Sequence, residues 1–177
     1  MKKYLYMIAA LFGIDYFCKE NIEAQKPEDF PRDMEKSHGK IRLYRNHNDG
    51  FCFGVKKEKK ELVRMVPVVF TSAAAGILTW LLCRDEGRKA DRIGFALITA
   101  GGLSNLYDRI KRGYVVDYFS IRCKYLEKIV FNLGDFFIFA GSALIAASDL
   151  LGAVRDLTSP AEPHIKALRL PWRKTDE

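Results

Sequence analysis

The sequence has 177 residues, of which 49% are hydrophobic and 29% charged, and its formal net charge is +7 at pH 7. This length suits one domain with a buried core, and the apolar content excludes a disordered chain. The net positive charge could indicate a nucleic-acid-binding protein, but the sequence contains no nucleic-acid-binding motif. The lysines alternate with acidic residues, so we predict no nucleic-acid partner and interpret the charged residues as solvent-exposed surface.

Four apolar segments follow one another along the chain, at 4–18, 65–83, 93–107 and 129–148. The segment 65–83 has no charged residue and is close to the length of about 20 residues that spans a bilayer. The first and third segments are shorter and could each be a buried helix of a soluble domain. Because the segments are rich in the small residues that let membrane helices pack closely, we predict a four-helix membrane bundle.

The first segment resembles a secretory signal, because it begins after Lys2 and Lys3. The residues before Cys18 are bulky where cleavage needs small ones, so we interpret the segment as an uncleaved span. An even number of spans places both termini on one side of the membrane. The positive-inside rule, applied to the basic residues of the loops, would place the termini outside the cell. The acidic residues of the long first loop nearly balance its basic residues, however, so the loop charges leave the orientation open.

Residues 19–62 form the only sizeable extramembrane region that the sequence predicts. Its segment 40–54 combines β-forming residues with a turn-like Asn48-Asp49-Gly50, which indicates an ordered element. After the fourth span the chain becomes polar. We therefore divide it into one domain at 1–155 and a polar C-terminal tail at 156–177.

Polar residues stand at the ends of the spans, where an ionisable group costs roughly 3 kcal/mol and usually serves function. Asn105 and Asp108 close the third span, Asn132 and Asp135 open the fourth, and Asp117 lies between them. Each Asn-x-x-Asp spacing would place an amide and a carboxylate on one face of a helix. The third span ends at the membrane surface where the fourth begins, so we expect these side chains to gather there.

Asp117 and Asp135 have no basic neighbour in the sequence, whereas Asp108 precedes Arg109, which could pair with it or with a neighbour. Two carboxylates brought together in apolar surroundings cannot both ionise easily, so one holds a proton. Such a pair supplies a base that activates water and an acid that protonates a carbonyl oxygen, while the asparagine amides orient it or stabilise an oxyanion. The alternative is that these groups only form interhelical hydrogen bonds, each worth about 1 kcal/mol.

Four motifs in order make the chain similar to the lipoprotein signal peptidase (signal peptidase II) family of bacterial four-span aspartyl peptidases. They are Asp15-x-x-x-Lys19, Asn48-Asp-Gly50-Phe-Cys-Phe53-Gly54, Gly101-Gly-Leu-Ser-Asn105-Leu-Tyr-Asp108-Arg109 followed by Gly113-Tyr-Val-Val-Asp117, and Asn132-Leu-Gly-Asp135. The resemblance implies an all-α membrane protein with four transmembrane helices and a small extramembrane β-sheet cradle, supplied largely by residues 38–54.

The resemblance also implies the reaction, which is removal of the signal peptide of a prolipoprotein just before a diacylglyceryl-modified cysteine. It implies that Asp117 and Asp135 are the catalytic pair and that Asp15, Lys19 and Asp108 support them. The residues implied to shape the site or hold the substrate are Asn48, Gly50, Asn105, Arg109 and Asn132. No metal or organic cofactor is implied, and the histidines and cysteines show no metal-ligand spacing.

The implied location is the bacterial inner membrane, where a multi-pass chain would have its active site near the outer face and its termini in the cytoplasm. The expected partners are prolipoproteins and membrane lipids. Because all catalytic parts lie within one chain, we expect a monomer.

Three positions depart from the family pattern: Phe51-Cys52 stand for an Ala-Ala pair, Ser104 for a glycine and Gly134 for an alanine. The first departure could narrow the substrate groove, so one alternative is a related membrane aspartyl peptidase with altered substrate choice. Another alternative is a non-catalytic membrane protein that binds lipidated peptides or transports a small solute. The two intact carboxylates argue against this second alternative.

Overall fold

The computed structural model describes residues 1–50, 60–84 and 87–158. The helices are α1 (Lys2–Glu23), α2 (Lys60–Cys83), α3 (Lys89–Lys111) and α4 (Leu133–Thr158), with a short 3-10 helix at Pro27–Asp29. The strands are β1 (Arg32–Asp33), β2 (Ile41–Asn48) and β3 (Val115–Ile121). Two parts of the sequence prediction lie outside the described residues, namely the Phe51–Gly54 part of the second motif and most of the tail, at 159–177.

Each long helix corresponds to one predicted apolar segment, but the helix bounds differ from those of the segments. Helices α1 and α3 extend past the apolar residues at both ends, because charged residues continue the helical backbone there. Helix α4 begins at Leu133 rather than at residue 129 and continues to Thr158. The chain is thus mostly helical, as predicted.

The predicted small sheet is confirmed, and its three antiparallel strands lie in the order β1-β2-β3. Strand β2 comes from the predicted extramembrane region, whereas β3 comes from the segment that carries Asp117. Gly113 ends the preceding helix with a left-handed φ of 84°, after which β-branched and aromatic residues form the strand. In the register of the sheet, Asn46 lies opposite Asp117 and Asn48 opposite Val115.

Helices α3 and α4 pack closely through glycines spaced seven residues apart on each helix. A Cβ atom at Gly101 would lie 2.1 Å from the carbonyl oxygen of Gly134, and one at Gly141 would lie 2.5 Å from that of Gly94. The two backbones therefore touch where a side chain would hold them apart. This contact fixes the end of α3 beside the start of α4.

The polarity of the chain is partly reversed, with charges inside and apolar side chains outside. Lys19, Asp15 and Asp108 are among the largest fully buried side chains, whereas Phe17 and Ile110 are 72% and 78% exposed. Among the described residues, two helical segments are long and apolar enough to cross a membrane, Met65–Cys83 and Leu133–Thr158. Helices α1 and α3 are less apolar, because they carry the buried charges.

Candidate active site

The start of α4 positions Asp135. Asn132 immediately precedes the helix, and its side-chain oxygen accepts the Asp135 backbone N–H at 2.8 Å. In return, the Asn132 backbone N–H donates to Asp135 Oδ2 at 3.4 Å. The prediction that this Asn-x-x-Asp lies on one helix face is wrong for Asn132, because the residue caps the helix from outside it and satisfies a free N–H of the first turn.

Strand β3 brings Asp117 to the same place. Its two carboxylate oxygens accept hydrogen bonds from side-chain amides, Oδ1 from Asn132 at 2.8 Å and Oδ2 from Asn48 at 2.9 Å. Burial, together with the nearby charge of Asp135, raises the pKa of Asp117 to about 7, although both amides oppose the rise. The Asp117 carboxyl can therefore hold or release a proton near neutral pH.

The end of α3 supplies the third amide of the site. Asn105 donates its side-chain N–H to Asp135 Oδ1 at 2.8 Å, and its side-chain oxygen accepts a hydrogen bond from Lys19 Nζ at 2.8 Å. Asn105 thus lies between a buried ammonium group and Asp135. The structure brings together both predicted catalytic residues and the three predicted asparagines.

Lys19 lies at the centre of a buried ionic cluster beside the two carboxyl groups. Its Nζ is 2.8 Å from Asp15 Oδ2 and 3.1 Å from Asp108 Oδ2, and it donates to Ser104 Oγ at 3.2 Å. All three charged side chains are at most 1% exposed. Buried charges are tolerated when they are paired and hydrogen-bonded, and this cluster meets both conditions.

The basic partners of Asp108 are not those that the adjacent Arg109 suggested. Asp108 pairs with Lys19 and with Arg112, whose Nε is 3.3 Å from Asp108 Oδ1, and it accepts the Val116 backbone N–H at 3.1 Å. Arg109 Nη2 instead donates to the carbonyl oxygen of Gly50 at 2.5 Å. The i,i+4 spacing of Asp108, in the last turn of α3, and Arg112, which caps that helix, was the sequence signal for this pair.

Arg109 and Gly50 connect α3 to the loop after β2. The Gly50 backbone N–H donates to the side-chain oxygen of Asn48 at 2.9 Å, and the Asn48 amide in turn donates to Asp117. Hydrogen bonds therefore connect Arg109 to Asp117 through two intermediate residues. The loop continues into Phe51, outside the described residues.

Sequence reasoning missed two contributors to the site. Ser104, noted only as a departure, donates its hydroxyl to Asp15 Oδ2 at 2.6 Å. The Tyr118 hydroxyl donates to Asp15 Oδ1 at 2.9 Å, and the Leu133 backbone N–H donates to the same carboxylate oxygen at 3.1 Å. The helical spacing of Ser104 and Asp108 indicated a shared face, whereas nothing local in the sequence indicated the contact of Tyr118 with α1.

Two buried carboxyl residues that share one asparagine partner can carry out acid–base chemistry on an added substrate. One carboxylate can accept a proton from water while the other, protonated, donates to an oxygen atom. Asn132 holds both residues, and the asparagines on β2 and α3 leave little rotational freedom to either carboxyl group. The arrangement suits hydrolysis of a carbonyl compound.

Comparisons with known proteins agree with this chemistry. A family model described as signal peptidase (SPase) II matches residues 7–151. The lipoprotein signal peptidase of Mesorhizobium japonicum is 30% identical over 161 residues, which are 90% of this chain and 92% of that protein. The lipoprotein signal peptidase of Brucella ovis is 34% identical over 119 residues, which are 67% of this chain and 73% of that protein.

Two solved structures of bacterial membrane enzymes have a similar fold. The first has a TM-score of 0.71, and the match covers 94% of this chain and 96% of the solved one. The second has a TM-score of 0.69, and the match covers 85% of this chain and 94% of the solved one. Both are 19% identical in sequence, so the likeness concerns the fold. Nothing in these comparisons supports the alternatives of altered substrate choice or of a non-catalytic binding protein.

Proposed function

Because the chain belongs to the signal peptidase II family, we propose that it is an aspartyl endopeptidase that removes the signal peptide from prolipoproteins. The bond cleaved would precede a cysteine that carries diacylglycerol. The observation that carries the mechanism is the position of Asn132, which donates to Asp117 and accepts from the backbone of Asp135. This side chain holds the two proposed catalytic residues in one buried site.

The proposed mechanism uses one proton shared by Asp117 and Asp135. The ionised carboxylate takes a proton from water as the water oxygen bonds to the scissile carbonyl carbon, and the protonated carboxyl donates its proton to the carbonyl oxygen. The tetrahedral intermediate then collapses as the second carboxylate takes back a proton from one of its hydroxyl groups and the carbonyl re-forms. The C–N bond breaks, and the amine leaves with a proton from the first carboxyl group, which restores the single shared proton. The near-neutral pKa of Asp117 supports a shared proton at physiological pH.

We further propose that all four long helices cross the membrane. Support comes from α1 and α3, which expose Tyr6, Phe17 and Ile110. The same two helices bury Asp15, Lys19 and Asp108 between them. Exposed apolar side chains around a buried polar cluster are expected where the solvent is lipid. This arrangement would place both termini in the cytoplasm and the site near the outer face of the inner membrane.

The proposed partners are prolipoproteins and the surrounding lipids, and the proposed state is a monomer. Its support is that Asp117, Asp135 and the three asparagines that hydrogen-bond to them all belong to one chain. A second copy is not needed to complete the site.

The test of the function compares a diacylglyceryl-modified prolipoprotein peptide with the same peptide lacking the modification. Both are incubated with the full-length protein in lipid bicelles, and products are identified by mass spectrometry. We expect a single cut before the modified cysteine and little cleavage of the unmodified peptide. If the folded protein cleaves neither peptide, the proposal is rejected.

A further inference from the structure

A large apolar cavity lies between the end of α1, the sheet and the start of α4. Its volume is about 730 Å³. Helix α1 contributes Cys18 and Ile22, the sheet contributes Leu43 and Ile121, and α4 contributes Leu133 and Phe136. Within the described part of the chain, no charged residue lines this cavity. None of the roles proposed above for the site uses this space.

The cavity wall includes residues that neighbour the proposed catalytic pair along the chain. Phe136 follows Asp135 directly in the chain, and side chains of a strand alternate between its two faces, so Asp117, Phe119 and Ile121 share one face of β3. Phe119 and Ile121 both line the cavity. The same strand therefore supplies Asp117 to the proposed catalytic pair and Phe119 and Ile121 to the cavity wall.

The mouth of the cavity is apolar as well. Phe17 and Phe136 belong to the lining, yet they are 72% and 56% exposed, so they stand at the opening. They belong to α1 and α4, whose outer surfaces would face lipid in the proposed membrane arrangement. A chain entering from the acyl layer would pass these two rings without crossing water.

The lining favours a hydrocarbon chain over a peptide backbone. An extended peptide would bring N–H and C=O groups into a space that offers few partners, and each unpaired group is costly. The Tyr118 hydroxyl, one of the few polar groups of the lining, already bonds with Asp15 and the Leu133 N–H. An acyl chain needs no such partners.

We propose that this cavity receives an acyl chain of the diacylglyceryl group of the substrate, an inference that rests on the proposed function. Lipid tails are as apolar as the cavity wall, so entry of the chain from the membrane adds little affinity. The cavity instead fixes the distance between the modified cysteine and the carboxyl pair. The cavity therefore affects the reaction by positioning the scissile bond, because a small displacement of that bond lowers the reaction rate strongly.

The test fills the cavity with Leu43→Trp and compares two lipopeptide substrates that differ only in acyl length, dipalmitoyl and dibutyryl. We expect kcat/KM for the long-chain substrate to fall about tenfold or more, and that for the short-chain substrate to change less than about twofold. The ratio of the two values does not depend on the fraction of folded enzyme. A milder variant, Ile121→Phe, should change the ratio in the same direction if Leu43→Trp does not fold.

A matched control uses the second apolar groove, of about 450 Å³, which Leu5 lines between α1 and α3. Leu5→Trp makes the same substitution there and should leave the ratio at its wild-type value. Equal losses for both substrates in Leu43→Trp and in Ile121→Phe, or an equal change of ratio in Leu5→Trp, would overturn the inference. If the wild-type protein cleaves neither lipopeptide, the proposed function itself fails, whereas wild-type cleavage with unchanged ratios rejects the acyl site alone.

Photocrosslinking provides an independent readout of the same contact. A lipopeptide with a diazirine at the end of one acyl chain is bound to Asp135→Asn, which is expected to retain it uncleaved. Crosslinks should map to the segments around Leu43 and Phe136. Crosslinks confined to the α1–α3 groove around Leu5 would contradict the assignment.

Discussion

The side-chain amide of Asn132 donates to Asp117 Oδ1 at 2.8 Å, so a residue that caps α4 also holds a carboxyl group on β3. The same side chain supports the first turn of α4, in which Asp135 lies. Sheet and helix are thereby connected at the point where the two proposed catalytic residues meet.

Replacing either carboxyl group should remove the proposed acid–base chemistry. We expect Asp117→Asn and Asp135→Asn each to lower kcat at least about a hundredfold, because each removes one of the two proton-transfer groups. Single-turnover cleavage of the lipopeptide measures the effect. Asp33→Asn, at an exposed acid on β1, is the matched control and should cleave normally. Near wild-type cleavage by either catalytic-site variant would reject the assignment.

The stability of the protein should depend on pH through Asp117. Its pKa rises from 3.8 to about 7 on folding, so between these values the folded state holds a proton that the unfolded state has released. The free energy of unfolding therefore decreases as pH rises through this window, by at most about 1.4 kcal/mol per pH unit. Asp117→Asn lacks this proton, so its Tm relative to wild type should increase with pH up to about 7. A Tm difference that is constant across the window would contradict the raised pKa.

Removal of the buried ammonium group should destabilise the site. Lys19→Met would leave Asp15 and Asp108 buried without their shared cation, at an expected cost of about 3 to 5 kcal/mol in the free energy of unfolding. Thermal unfolding in detergent measures the change. Lys26→Met is the control, because Lys26 is 78% exposed and lies 4.0 Å from Glu28. Similar small shifts in both variants would show that the buried cluster contributes little.

Arg109 should act on substrate handling rather than on proton transfer. Arg109→Ala removes the hydrogen bond to the Gly50 carbonyl, so the loop that orients Asn48 should loosen. We expect kcat/KM to fall about 10- to 150-fold, mainly through a higher KM, since a charged hydrogen bond contributes roughly 1.5 to 3 kcal/mol. Arg122→Ala, at a more exposed pair with Asp33, serves as the control. A loss confined to kcat would instead assign Arg109 to the chemical step.

The contact between α3 and α4 should not tolerate one added methyl group. In Gly101→Ala the new Cβ would lie 2.1 Å from the Gly134 carbonyl oxygen, so the helices must separate. The shift would lengthen the Asn105–Asp135 hydrogen bond, and we expect losses of about 1 to 3 kcal/mol in stability and of activity as well. Gly76→Ala is the matched control, because its Cβ would meet no atom of the described residues within 4 Å. Equal stability of the two variants would contradict the close packing.

The sequence predicted the features that depend on composition and short spacing. The apolar segments marked the four helices, and the absence of basic neighbours distinguished Asp117 and Asp135 from Asp108. It did not predict β3, because that strand exists through pairing with residues 41–48, far away in the chain. Strand pairing at such separations leaves no local periodicity to detect.

The partners of the charged residues were harder to predict than their positions. The sequence suggested Arg109 as a possible partner of Asp108, because the two residues are adjacent. Consecutive residues of a helix point in different directions, however, and the ion pairs of Asp108 are with Arg112 and Lys19. Asn132 was predicted to lie on a helix, on the same face as Asp135. Its short polar side chain is better suited to capping a helix than to the helix interior, and it caps α4. In both cases the direction of the side chain, rather than the residue type, decided the role.

The Asp15–Lys19 pair also bears on how the chain assembles during synthesis. The ribosome completes α1 before Ser104, Asn105 and Asp108 exist, so most partners of Lys19 are missing when the helix first forms. The i,i+4 spacing places Lys19 Nζ 2.8 Å from Asp15 Oδ2 within the same helix. Helix α1 therefore contains both members of the ion pair, and Asp15 neutralises Lys19 within the nascent helix until α3 packs against it.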